Sequence, residues 1–228
     1  MNAQPTNTDK KVERKISWYL YVLAFIIASM LFSIGIYVGM MINQNVVNRI
    51  DKDIYSINEQ VSTIGLLLLL DENNPAFCSV YKSELVKIDV MREKLGYELS
   101  MMEEQRGFSS PAVKNNYMIL QGQSYLLSKK INELCADDKN ILVLFFYDNK
   151  NCNDCKQQGT NILRARDSAK NKELIRIYAF DGGIESAIVE SFKKQLNITT
   201  HPTTMIGSKR YVGAVSENDL RKAMENAD

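Results

Sequence analysis

Histidine is almost missing from this chain of 228 residues: there is one, alongside four cysteines. That excludes zinc chemistry built on several His ligands. Charge of one sign is lacking too, with 28 Lys plus Arg against 27 Asp plus Glu and a net charge of +1. A general nucleic-acid binder would normally carry a basic excess, so that class is set aside. The apolar share of 45% and the charged share of 24% exclude a disordered tail protein, a collagen-like repeat and a disulfide-rich miniprotein. The length suits one or two folded units.

What is present is unevenly spread. No charged residue occurs from Ile16 to Asn48, and the 25 residues Trp18 to Ile42 are almost wholly apolar. As a helix they would span roughly 37 Å, enough to cross a hydrocarbon core of about 30 Å with some tilt. A secretory signal would have an apolar region of roughly 7–15 residues ending in a small-x-small site. The run is longer and lacks that ending, so it reads as an uncleaved anchor. Lys10, Lys11, Arg14 and Lys15 precede it, whereas Arg49 and Lys52 follow among Asp51 and Asp53. The positive-inside rule then predicts a cytoplasmic tail over residues 1–16, a span over 17–42 and an extracytoplasmic remainder. Trp18, Tyr19 and Tyr21 would lie at the cytoplasmic interface. The outer compartment permits disulfides.

After the span, Val47, Ile50, Ile54, Ile57, Val61, Ile64 and Leu68 repeat at steps of three and four, an a/d seam with a polar opposite face. The seam either packs inside its own bundle or forms a homodimeric coiled coil; two following helices in need of a partner favour the bundle. Those helices lie between Pro75 and Cys135, with apolar stripes from Tyr81 to Met102 and from Val113 to Leu134. Between them Arg106 to Pro111 reads as a turn, with Ser110 as N-cap and Pro111 as first helical residue. Cys78 and Cys135 are equidistant from that turn. An antiparallel hairpin brings both to its open end and predicts a structural disulfide there, the alternative being two unrelated buried thiols.

From Asn140 the periodicity changes. Ile141 to Tyr147 is a continuous apolar, β-prone run, the pattern of a strand buried on both faces. Cys152 and Cys155 follow at Cys-x-x-Cys spacing, then a helix to about Lys170. A strand over Leu174 to Phe180, a helix from about Glu185 to Leu196, short strands over Thr203 to Ile206 and Arg210 to Val215, and a helix capped by Ser216 complete a β-α-β-α-β-β-α order.

A strand ending in Cys-x-x-Cys at a helix start, with Thr200-His201-Pro202-Thr203 opening a later hairpin, resembles the thioredoxin superfamily. The resemblance covers about residues 140–226, and the flanking sequence is more similar to its extracytoplasmic Dsb-type members. It implies that Pro202 is cis and faces the cysteine pair, and that the backbone of His201 meets an extended substrate. The residues themselves supply the chemistry. Cys152 at a helix N-terminus would be stabilised as a thiolate. It would attack a disulfide, and the more buried Cys155 would resolve the mixed disulfide; a passive Cys152–Cys155 disulfide is the bland alternative. Phe146 stands where thioredoxin carries a buried carboxylate, which puts efficient reductase activity in doubt. A cationic His201 beside Cys152 would lower the thiol pKa and make the pair more oxidising. Asn197-Ile198-Thr199 matches a glycosylation sequon, read as chance.

The expectation is an α/β thioredoxin-like domain over 138–228, preceded by a helical stalk and stapled hairpin over 43–137 and one transmembrane helix. The expected function is a membrane-tethered thiol–disulfide oxidoreductase acting on exported proteins, with a redox partner in the membrane and no cofactor or metal. The alternative is a membrane-anchored scaffold that binds partners through its helical region.

Overall fold

A computed structural model describes residues 18–70, 78–106, 110–135 and 139–227. The basic flank at residues 10–15, the centre of the turn at 107–109 and the expected domain boundary at 137/138 lie outside the described residues. The chain divides into two compact units, residues 1–46 and 47–228.

Helix α1, Trp18–Leu70, carries the apolar run and the heptad seam. It is long and apolar enough to cross a membrane, with every described side chain of the apolar run exposed. In the second unit the seam turns inward: Ile50, Ile54, Ile57, Val61 and Ile64 are all buried. The seam is covered within one chain. The burial agrees with the favoured reading of the seam as a helix packed inside its own bundle.

Helices α2, Cys78–Arg106, and α3, Pro111–Leu134, form the hairpin. The start of α3 follows from its sequence: the Ser110 hydroxyl accepts from Val113 N at 3.5 Å, and Pro111, with no N–H to satisfy, opens the first turn. Cys78 and Cys135 are joined by a disulfide, Cα–Cα 5.7 Å, closing the open end of the hairpin.

The α/β part runs β1 Ile141–Tyr147, α4 Cys155–Ser168, β2 Ile175–Asp181, α5 Ala187–Gln195, β3 Thr203–Ile206, β4 Lys209–Val212 and α6 Glu217–Glu225. The sheet order is β2-β1-β3-β4, with β1 parallel to β2 and the other pairs antiparallel. Strand β4 is shorter than its apolar run because Gly213 turns away at φ 80° and donates to Pro202 O at 2.8 Å. Helix α5 ends where Asn197 takes φ 50°. Ser216 caps α6, its hydroxyl accepting from Asp219 N at 3.2 Å.

One face of the sheet, Ile141, Val143, Phe145, Ile175, Ile177 and Ile206, packs on Ile162, Leu220 and Met224 of α4 and α6. On the other, Phe146 stacks on Phe180 and Phe180 meets Phe192 of α5, while Tyr178 meets Tyr125 of α3. β2 is an edge strand whose exposed carbonyls would invite another strand. The hairpin covers it: Arg92, 2% exposed, donates to Ile177 O at 2.8 Å. The same guanidinium bonds Asp89 at 3.0 Å and Gln121 at 2.6 Å and lies 4.5 Å from the Tyr178 ring centroid. Asp89 also pairs with Arg176 at 2.9 Å. The hairpin is thus part of the α/β core. The sequence separates 43–137 from 138–228, whereas the compact unit 47–228 takes in both.

Candidate functional site

Strand β1 delivers the chain to the site. Beyond Tyr147 the Asp148 carboxylate accepts from Lys150 N at 2.7 Å, Asn151 N at 3.0 Å and Asn151 Nδ2 at 3.3 Å. This turn presents Cys152. Partial burial works to raise the Asp148 pKa, but those hydrogen bonds, aided by His201, hold it below the usual carboxylate range.

Cys152 is half-buried, Cys155 is buried, and they are joined by a disulfide with Cα atoms 5.4 Å apart. Sequence reasoning put Cys152 at the start of the helix. In the structure Cys155 is the first residue of α4, and Cys152 stands in the loop three residues before it. Asp154 occupies the N-cap position without a side-chain capping bond, and the helical hydrogen bonds begin with Gln158 N donating to Asp154 O at 2.8 Å. The unpaired N–H groups of the first turn belong to Cys155 and its successors.

Register brings the other pieces to the same end of the sheet. Tyr147 lies opposite Asp181, Phe146 opposite Thr203, and Thr203 opposite Val212. The ends of β1 and β2 therefore meet the start of β3, where the His201–Pro202 peptide is cis and Pro202 is buried. Phe146 is fully buried against Phe180 and offers no proton acceptor.

The Nε2 corner of the His201 ring lies against Gly182, where a Cβ would collide with Nε2 and come within 2.8 Å of Cε1. Its Nε2 is buried with no hydrogen-bond partner. Burial, then the charge of Lys193, lowers the imidazole pKa from 6.5, against the pull of Asp148, Asp181 and Glu190. In this oxidised state, with no thiolate at Cys152, the surroundings of His201 thus work against its cationic form. Beside it a Cβ on Gly183 would meet Asp148 Oδ1 at 2.7 Å, so the two glycines form the seam between the cysteine loop and the proline loop.

Sequence reasoning missed three groups. Gln158 is fully buried, donating to Thr204 Oγ1 at 3.1 Å and accepting from Val215 N at 2.8 Å. It falls in the buried α4 stripe Cys155, Gln158, Ile162 and Ala165, a signal visible as a polar residue on an apolar face. Lys114 of α3 bridges Asp181 at 2.5 Å and Glu103 of α2 at 2.9 Å, its ammonium 6.0 Å from the Tyr147 ring centroid. Burial, then the Asp181 charge, pushes the Tyr147 phenol well above its ordinary value. Nothing in the spacing pairs Lys114 with a strand residue 67 positions later.

Cys78 and Cys135 belong to a different place, the open end of the hairpin. Next to it, Asn132 of α3 fastens Asn140, at the opposite end of β1, through Asn140 N at 2.9 Å and Asn140 O at 2.7 Å. Among the described residues no group of three or more His, Cys, Asp or Glu side chains is placed to hold a metal ion. The chain matches no family model, no curated protein and no solved structure.

Proposed function

We propose that the chain is a membrane-tethered thiol–disulfide oxidoreductase of thioredoxin-like fold, with Cys152 and Cys155 as its redox pair. One observation carries the reading: a disulfide between a half-buried and a buried cysteine stands at a strand–helix junction, at the sheet end that also holds the cis His201–Pro202 peptide. In the reduced enzyme the Cys152 thiolate attacks a disulfide of an exported protein and releases one substrate thiolate. The Cys155 thiolate then attacks Cys152 Sγ, the electron pair leaves on the second substrate sulfur, and two protons complete a substrate dithiol. The same steps in reverse oxidise a dithiol. The apolar run of α1 serves as the anchor, and the basic residues before it argue for a cytoplasmic N-terminus and an extracytoplasmic catalytic unit.

The test is equilibration of the full chain in detergent with dithiothreitol buffers, together with a Cys155→Ser variant. A Cys152–Cys155 couple that titrates reversibly, and mixed disulfides on Cys152 with exported proteins in the variant, are expected. A pair that resists mild reductant and forms no Cys152 adduct would make it a passive staple.

A further inference from the structure

Cys155, Gln158, Ile162 and Ala165 share the buried face of α4. Ile162 and Ala165 join the apolar core there, whereas Gln158, one turn after Cys155, is a fully buried amide bonded at both ends. Its Nε2 donates to Thr204 Oγ1 at 3.1 Å, and its Oε1 accepts from Val215 N at 2.8 Å. One turn further on, Asn161 Nδ2 donates to Val215 O at 2.9 Å. Thr204 lies two residues after Pro202 of the cis peptide, and Val215 two residues after Gly213, whose N donates to Pro202 O at 2.8 Å. These contacts close a ring that runs from Gln158 through Thr204, Pro202, Gly213 and Val215 back to Gln158. Cys155 hangs on that ring by a single helical turn.

Cys152 is held by other means. The Asp148 carboxylate fixes Lys150 N and Asn151 N, and Asn149 Nδ2 donates to Glu103 of α2, at the turn end of the hairpin, at 2.6 Å. The two cysteines of the pair are therefore placed by separate sets of contacts. A leucine at position 158 would cover the same apolar face. It would also remove the Gln158 partner from Thr204 Oγ1 and Val215 N, and it would let α4 shift against β3, because apolar contact has no direction whereas a hydrogen bond has.

Resting on the reading of Cys152 and Cys155 as a redox pair, we propose that Gln158 is a positioning residue for the resolving step, holding Cys155 in line with Cys152. Once Cys152 has attacked a disulfide, one substrate sulfur is bound to Cys152 Sγ and Cys155 is free. The Cys155 thiolate attacks Cys152 Sγ along the axis of that bond, which breaks, and its electron pair leaves on the substrate sulfur. The approach requires the first turn of α4 to keep its height beside Pro202. A misplacement of about 1 Å can cost about a hundredfold in such a step. The earlier attack by Cys152 on an incoming disulfide needs no alignment with α4, so Gln158 acts on one step and not on the other.

The test mixes the full chain in detergent, its redox pair reduced by mild dithiothreitol, with one equivalent of dipyridyl disulfide in stopped flow. The first pyridinethione released reports attack by Cys152. The second, whose rate does not depend on concentration, reports resolution by Cys155. The dithiol becomes the Cys152–Cys155 disulfide, and its two electrons and two protons reside on the two pyridinethiones. Gln158→Leu and the near-isosteric Thr204→Val are compared with the parent, with near-UV circular dichroism reporting the fold of each. In Gln158→Leu the first release should stay within twofold of the parent while the second falls at least tenfold, including at the alkaline plateau where the rate no longer rises with pH. Thr204→Val should slow the second release selectively, and the double variant should be no slower than Gln158→Leu alone. Where Gln158→Leu does not fold, Thr204→Val decides by itself. A second release unchanged in either folded variant, slowed no more than the first, or restored at the alkaline plateau overturns the role of Gln158 and leaves the redox pair standing. A pair that mild dithiothreitol does not reduce overturns the redox reading and the role of Gln158 together.

Discussion

Gly182→Ala tests whether the seam between the cysteine loop and the proline loop is built as described. Gly182 is not among the glycines at positive φ, which are Gly207 and Gly213, so alanine brings no backbone strain. The methyl instead drives into the His201 ring, colliding with Nε2 and lying 2.8 Å from Cε1 and 3.2 Å from Cδ2. Nε2 has no hydrogen-bond partner. The ring, with no hydrogen bond to hold Nε2, must turn away from Gly182 against its packing to make room. Overpacking of this kind costs about 1–3 kcal/mol. Replacing Gly by Ala returns about 0.4–1 kcal/mol by narrowing the unfolded ensemble. The net loss should be about 1–2 kcal/mol, a fall in Tm of roughly 3–6 °C for a unit of this size. Thermal unfolding of the full chain in detergent, followed by near-UV circular dichroism, measures it. The decisive comparison is the double variant Gly182→Ala/His201→Ala. Without the imidazole the methyl has room, so the two changes should couple favourably by about 1–3 kcal/mol. Additive effects, or a Gly182→Ala variant as stable as the parent, would refute the packing of His201 on Gly182.

The remaining predictions follow from other buried groups. Arg92→Leu should destabilise by about 3–5 kcal/mol, because it leaves the buried Asp89 to Arg176 and removes the Arg92 donor from Ile177 O and Gln121 Oε1; a loss below about 1 kcal/mol in chemical denaturation would contradict the role of Arg92 at the β2 edge. Cys135→Ser opens a loop of sequence separation 57 and should cost about 4 kcal/mol in the chain-entropy model, with the Cys152–Cys155 potential unchanged. The His201 pKa is depressed in the folded state, so its contribution is fully present above the unfolded value of 6.5 and is lost as pH falls through the folded pKa. Stability should decline below about pH 6.5, and His201→Ala should flatten that decline, read as Tm against pH.

Much of the chain was legible in sequence because its signals are local. The apolar run announces its own length, steps of three and four separate the helices from the continuous β-prone run of Ile141 to Tyr147, and Ser110-Pro111 and Ser216 mark helix starts through hydrogen bonds within one turn. Even the Cys78–Cys135 pairing could be read, since an antiparallel hairpin is a symmetric object and its turn sets what lies opposite what. The strand–helix position of Cys152 and Cys155 is local too, although the helix begins at the second cysteine because Asp154 takes the cap.

Contacts between distant segments were not legible. The heptad seam of α1 states that one face must be covered, but not by which chain, because a second copy and the hairpin present the same apolar pattern. Only the packed structure buries Ile50 to Ile64 within the unit. Arg92 and Lys114 read as ordinary surface residues by composition, and their burial depends on partners up to 85 positions away. The downward shift of the His201 pKa could not be foreseen either, since it depends on burial and on the setting among Lys193, Asp148, Asp181 and Glu190. The sequence by itself determined where helices, strands, the apolar run and the two cysteine pairs lie, because those follow from neighbours within a turn or a strand. The tertiary structure alone decided that the hairpin completes the sheet and that its turn end abuts the cysteine loop, because burial and charge pairing are properties of the folded whole.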